Sequence, residues 1–180
     1  AGDTSEEVMP FVYYNVAAGE KIARVSANMA MAADMEVRAS STSTTGAYSS
    51  ACQRGLPAIL MERGGGGRFT DSEVQAYKRD VKNIMIRMGL LSGEEVHTVQ
   101  QKNVTRAEYL EAETDGLWYP VFSAGDTFAG GAVLGTVRDI WGNLLREYRA
   151  DYPGIVLYQT VGLGVKTGDP LIAYGEYVDR

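Results

Sequence analysis

The chain has 180 residues, enough for one medium or two small domains, and its 45% apolar and 22% charged residues allow a buried core. A net charge of -6 argues against an electrostatic nucleic-acid surface, and an anionic substrate would need a local basic pocket against the overall field. Cys52 is the only cysteine, so no intrachain disulfide forms, and no apolar run approaches the length of a membrane span. The first residues, Ala1 to Glu7, are polar and acidic and do not read as a signal peptide, so the expected location is cytoplasmic.

Phe11 to Tyr14 reads as a short strand. Glu20 to Met35 reads as a helix, with Ile22, Val25, Met29 and Ala33 at helical spacing. Ser40 to Gly46 is nearly all Ser and Thr and reads as a loop, followed by a short helix from Tyr48 to Gly55. Pro57 to Met61 is a continuous apolar run, short enough for a parallel strand buried on both faces. Thr70-x-x-Glu73 is a capping box, opening a helix whose apolar stripe is Val74, Tyr77, Val81, Ile84, Met85 and Met88, with Gly89 as its stop. This alternation is the grammar of an α/β layer.

The character changes near Leu90. Ala124-Gly125-Asp126-Thr127-Phe128 leads to Val133-Leu134-Gly135, and Thr167-Gly168-Asp169-Pro170-Leu171 leads to Ala173-Tyr174-Gly175. In both, Gly-Asp serves as a turn and the flanking apolar residues as strands. Asp151-Tyr152-Pro153-Gly154 is a further turn. The expected division is an α/β portion over residues 1–92 and a smaller all-β domain with Gly-Asp hairpins over residues 93–180.

The segment that carries chemistry is Gly55-Leu-Pro-Ala-Ile-Leu-Met-Glu62-Arg63-Gly64-Gly-Gly-Gly67. Glu62 ends the apolar run, and ligands of open α/β sheets bind beyond the C-terminal strand ends. A half-desolvated carboxylate there suits a proton shuttle. The four glycines let the backbone approach a ligand closely or move as a lid. The blander reading is a strand-end Glu paired with Arg63 or Arg68 before a flexible loop. Cys52 has no nearby His and reads as a small buried residue. His97, the only histidine, reads as a surface or strand residue.

This segment, followed by a long helix, resembles the catalytic-glutamate segment of the succinylglutamate desuccinylase/aspartoacylase family. Pro10-Phe11-Val12-Tyr13-Tyr14 resembles the strand after that family's last zinc-binding His. Asp115-Gly116-Leu117-Trp118, Gly125-Asp126, Gly135-Thr136-Val137 and Gly154-Ile155-Val156 resemble its C-terminal β domain. The resemblance implies the C-terminal part of a zinc-peptidase-like α/β layer followed by the β domain. It also implies a zinc-dependent amidohydrolase acting on a small N-acyl amino acid, with Glu62 as general base and then acid.

The family's His-x-x-Glu and second His zinc ligands are not visible here. Ala1-Gly2-Asp3 resembles the stretch just after the second His. An upstream segment or a partner chain would have to supply the ligands, and the chain alone is expected to be inactive. By the same resemblance Tyr48 is a substrate-contacting residue, the alternative being a Tyr that packs under the Ser/Thr loop. Cys52 stands where aspartoacylase has a carboxylate-holding Arg, which argues against an aspartate-type substrate. Arg63 and Arg68 are placed to hold an anion or to serve as surface charge. A homo-oligomer, by default a dimer, is expected, with no nucleic-acid or membrane partner.

The Gly-Asp hairpins also resemble biotinyl and lipoyl carrier domains. Those need a Lys at the hairpin tip, and the turns Gly130-Gly131 and Asp151 to Gly154 have none. The competing function is a metal-free binding or structural module that assembles with a partner.

Overall fold

The computed structural model describes residues 4–177, a mixed α/β arrangement in which those residues form three helices and thirteen strands. In chain order these are β1 (Glu6–Val8), β2 (Phe11–Asn15), α1 (Glu20–Ala32), β3 (Val37–Ser41), α2 (Ala47–Gln53), β4 (Ile59–Glu62), α3 (Asp71–Arg87) and β5 (Lys102–Val104). Then come β6 (Ala107–Glu111), β7 (Gly116–Pro120), β8 (Thr127–Phe128), β9 (Val133–Arg138), β10 (Leu144–Arg149), β11 (Gly154–Thr160), β12 (Gly164–Val165) and β13 (Pro170–Glu176). Two compact units result. The first is Pro10–Arg63 with Phe69–Thr105. The second takes the described residues before Pro10, Gly64–Arg68 and the described chain from Arg106 onward.

The first unit is built on the sheet β4-β2-β3-β5, in which β2, β3 and β5 are parallel and β4 runs antiparallel to β2. Residues 93–105 lie in this unit because β5 extends its sheet. Every residue of β2 is buried, as an inner strand of a covered sheet requires. Val12 and Tyr14 pack with Ala30, Ala33 and Met35, and with Ile59, Met61 and Tyr77, so α1 and α3 cover one face. The strand β3 falls partly in the Ser/Thr stretch that reads as a loop. Parallel partners on both sides satisfy its backbone and override its weak side-chain signal.

The structure corrects two expectations about the helices and one about a strand. The helix α1 ends at Ala32, and Ala33 turns extended so that buried Asp34 can accept hydrogen bonds. The capping box of α3 is present, with Thr70 Oγ1 accepting from Glu73 N at 3.2 Å and Thr70 N donating to Glu73 at 2.7 Å. Yet α3 buries Ala76, Asp80 and Asn83, while Val81, Met85 and Met88 of the expected apolar stripe face outward. Its polar side turns inward because Asp80 meets Arg63 and Asn83 bonds both backbone groups of Val96. Finally, β4 is an antiparallel strand at the end of its sheet, with Leu60 37% exposed, and is not a parallel strand buried on both faces.

The second unit consists of antiparallel strands. One sheet has the order β1-β11-β13-β6 with β8 added to β11, and the other has the order β10-β9-β7-β12. Its core includes Trp118, Leu134, Val137, Tyr148, Val156 and Tyr174. Gly125 and Gly168, both at φ 91°, form the Gly-Asp turns before β8 and β13. Trp118 is a core residue, whereas Trp141 is 83% exposed in the β9–β10 turn. Among the described residues no helix is long and apolar enough to cross a membrane.

Candidate active site

Glu62 is the last residue of β4, and its cross-strand partner is Phe11, the first residue of β2. Directly paired residues project to the same face, so Glu62, Phe11, Leu60 and Tyr13 share one side of the sheet. Glu62 is half-buried there. Because β4 is antiparallel, Glu62 stands level with the starting residues of β2 and β3, Phe11 and Val37. The C-terminal ends of those parallel strands, Asn15 and Ser41, lie at the opposite end of the sheet. The buried Asn15 amide donates there to the Ser43 carbonyl at 2.6 Å and to Ser49 Oγ at 3.4 Å.

Tyr48, in the first turn of α2, is half-buried and stacks on Tyr13 with ring centroids 6.5 Å apart and planes 12° from parallel. Tyr13 meets Phe11 edge-on at 4.8 Å. Glu62, Phe11, Tyr13 and Tyr48 therefore form a sequence of neighbours on one face. Tyr13 lies about 7 Å along the strand from Glu62's partner.

Arg63 points the other way. It is buried, and its Nε donates to Asp80 Oδ2 at 2.9 Å and its Nη2 to the Asp34 carbonyl at 2.7 Å. These bonds make it a buried ion-pair partner rather than an open anion holder. Arg68 is exposed beyond the glycine run. Cys52 is buried, with Sγ 3.6 Å from Ser26 Oγ and 3.5 Å from the Ala58 carbonyl, as a small packed residue.

A charged network anchors this strand end. Asp80 also accepts from Asp34 N at 2.8 Å. Asp34 accepts from Thr98 N and Oγ1, both at 2.7 Å, from Val99 N at 3.1 Å and from Arg79 Nε at 2.8 Å. Burial pushes the Asp34 carboxyl up, but these hydrogen bonds and the Arg79 charge outweigh it and hold the group below its ordinary value. Tyr77 completes the surroundings. Its hydroxyl donates to the Met61 carbonyl at 3.3 Å, and burial together with the Glu62 carboxylate holds the phenol above its ordinary range. From the sequence, Tyr77 reads only as part of an apolar stripe, in which its hydroxyl is the one polar group.

His97 is exposed in the segment before β5, 2.9 Å from Glu95. Among the described residues no three His, Cys, Asp or Glu side chains come together to hold a metal ion, so these residues by themselves do not fit zinc. Ala1-Gly2-Asp3 lies outside the described residues.

The product-bound ectoine utilization protein EutE (DoeB) of Ruegeria pomeroyi superposes on 98% of this chain with a TM-score of 0.86 and 22% identity. A succinylglutamate desuccinylase/aspartoacylase of Rhodobacter sphaeroides does so over 98% with a TM-score of 0.79 and 22% identity. The fold is that of the succinylglutamate desuccinylase/aspartoacylase family.

An aspartoacylase family protein of Mesorhizobium loti agrees, with a TM-score of 0.76 over 99% of the chain at 19% identity. In sequence, the chain is 28% identical over 127 residues to the N-alpha-acetyl-L-2,4-diaminobutyric acid deacetylase of Halomonas elongata. That match covers 67% of this chain. No protein-family model matches the chain. The chain spans 37% of the Halomonas deacetylase, 56% of the Ruegeria and Rhodobacter structures and 55% of the Mesorhizobium one.

Proposed function

We propose that this chain is part of a zinc-dependent amidohydrolase that removes an acyl group from an N-acyl amino acid or related amine. What carries the reading is Glu62, half-buried at the end of β4 opposite Phe11 in a fold shared with succinylglutamate desuccinylases and aspartoacylases. Glu62 takes a proton from the attacking water as its oxygen bonds to the amide carbonyl carbon. As the C–N bond breaks, Glu62 delivers that proton to the leaving nitrogen, giving a carboxylate and a free amine.

The zinc ligands come from outside these residues, from an upstream segment or a partner chain. Tyr48 is proposed to contact the substrate from the same face as Glu62, and Arg63 to hold the strand end through Asp80. The α/β unit would be part of a zinc-peptidase-like layer and the remainder a smaller all-β domain, in a cytoplasmic homo-oligomer. The Halomonas deacetylase, together with Cys52 in place of a carboxylate-holding Arg, favours an acetylated diamino acid over an aspartate-type substrate.

The lack of a metal donor set among the described residues favours a second reading, a metal-free module that assembles with a partner. Elemental analysis separates them. Zinc in protein purified from its source, but not in this polypeptide alone, supports the hydrolase. Zinc in neither sinks it.

A further inference from the structure

The sheet β4-β2-β3-β5 has two ends of different character. At one end β5 is three residues long and exposes Lys102 and Asn103, a polar edge that discourages a further strand. At the other end β4 runs Ile59-Leu60-Met61-Glu62, with neither lysine nor proline in the strand. Among the described residues β4 pairs with β2 alone, so every second residue of β4 turns its backbone N–H and C=O away from the sheet.

The outer face of α3 extends this unguarded surface. Tyr77 and Met61 pack on one apolar cluster, and the Tyr77 hydroxyl donates to the Met61 carbonyl at 3.3 Å. From Tyr77 a shallow groove of about 410 Å³ follows α3, lined also by Lys78, Val81, Lys82, Met85 and Leu91. Val81, Met85 and Leu91 are exposed there, and Lys78 and Lys82 stand one turn apart. A second copy docked about a two-fold axis near Val81 would bring these lysines toward their own counterparts. An acidic, apolar partner meets no such repulsion.

We propose that the free edge of β4 and the groove of α3 form one docking surface, and that its occupant is the segment bringing the zinc ligands. That segment adds an apolar strand to β4 and sets carboxylates against Lys78 and Lys82. The identity of the occupant rests on the hydrolase reading; the open edge does not. The described residues hold no metal donor set, so ligands have to arrive on other residues. A strand added to β4 runs about 5 Å from it, so the end level with Glu62 is placed to present them beside that residue.

Amide hydrogen exchange tests this, comparing the 180-residue chain with the assembly purified from its source. The outward amides of Ile59–Met61 are expected to exchange about a hundredfold or more slower in the assembly, with Lys102–Val104 unchanged. Equal rates at β4, or slowing at Lys102–Val104 instead, overturn the proposal. So does a source protein that consists of this chain alone. Slow β4 amides in a dimer of the 180-residue chain would identify a second copy and overturn the assigned occupant. Val81→Glu is expected to leave the unfolding midpoint of the 180-residue chain unchanged and to speed β4 exchange in the assembly about tenfold. Lys78→Glu with Lys82→Glu, which alters only exposed charges, should do the same. Full β4 protection in both variants overturns the part assigned to α3. Slow β4 amides in a zinc-free assembly would refute the hydrolase reading and keep the docking surface. Fast ones in a zinc-loaded assembly would refute the docking surface and keep the hydrolase reading.

Discussion

Glu62 faces Phe11 across the β2–β4 ladder, and the neighbouring Arg63 is drawn to the opposite face by Asp80. Two adjacent residues thus have opposite fates. One carboxylate is left half-buried at a strand end, and one guanidinium is consumed in holding that end in place.

The Arg63–Asp80 pair makes a quantitative prediction. Asp80 is fully buried, so Arg63→Met leaves an uncompensated carboxylate in the interior. The expected loss is about 3–5 kcal/mol. Urea unfolding measures it, and a loss under about 1 kcal/mol would show that the pair does not anchor the strand.

Asp34 sets an acid limit. Its folded-state pKa lies below the ordinary value of 3.8, so its stabilisation is fully present above that value and is lost as pH falls through the folded pKa. Stability should therefore fall with acidification below about pH 4. Asp34→Asn should be less stable at neutral pH and should show a shallower acid slope. An unchanged slope would mean that other carboxylates carry the transition.

In the second unit Gly135 lies under Trp118. A Cβ at Gly135 would sit 2.2 Å from Trp118 Cη2, and Trp118 is 2% exposed. Gly135→Ala should cost about 1–3 kcal/mol or more, because the indole must leave its slot. Gly164→Ala, with open space around the new methyl, should stay within about 0.5 kcal/mol. Matching unfolding midpoints for the two variants would contradict this packing.

Tyr48 stacks on Tyr13, and Tyr48→Phe preserves the ring. Stability should be unchanged within about 0.5 kcal/mol. If the proposed function holds, KM of the complete zinc-loaded assembly for an N-acyl amino acid should rise several-fold, roughly the loss of one hydrogen bond. An unchanged KM would leave Tyr48 as a packing residue only.

Much of the local structure could be read from the sequence, because local chemistry encodes it. The Thr70–Glu73 capping box, the Gly-Asp turns and the position of Glu62 at the end of an apolar run all depend on residues close in the chain. What escaped depends on distant partners. The strand β3 exists because β2 and β5 flank it. The direction of β4 is set by its pairing with β2, about which the run Pro57 to Met61 carries no information. The inward polar face of α3 follows from bonds between Asp80 and Arg63 and between Asn83 and Val96, and a hydrophobic stripe gives the opposite answer. Arg63 reads as an anion holder or a surface charge because its partner, Asp80, is seventeen positions away. The glycine run reads as a close approach to a ligand or as a lid, and nothing in its composition reveals the bridge between Gly65 and Glu7.

In the proposed hydrolysis Glu62 performs both proton transfers. The most direct measurement is kcat of Glu62→Gln against the unaltered enzyme, in the complete zinc-loaded assembly, on an N-acetylated diamino acid. A loss of about two to four orders of magnitude is expected, with zinc content unchanged. Turnover near that of the unaltered enzyme would contradict it.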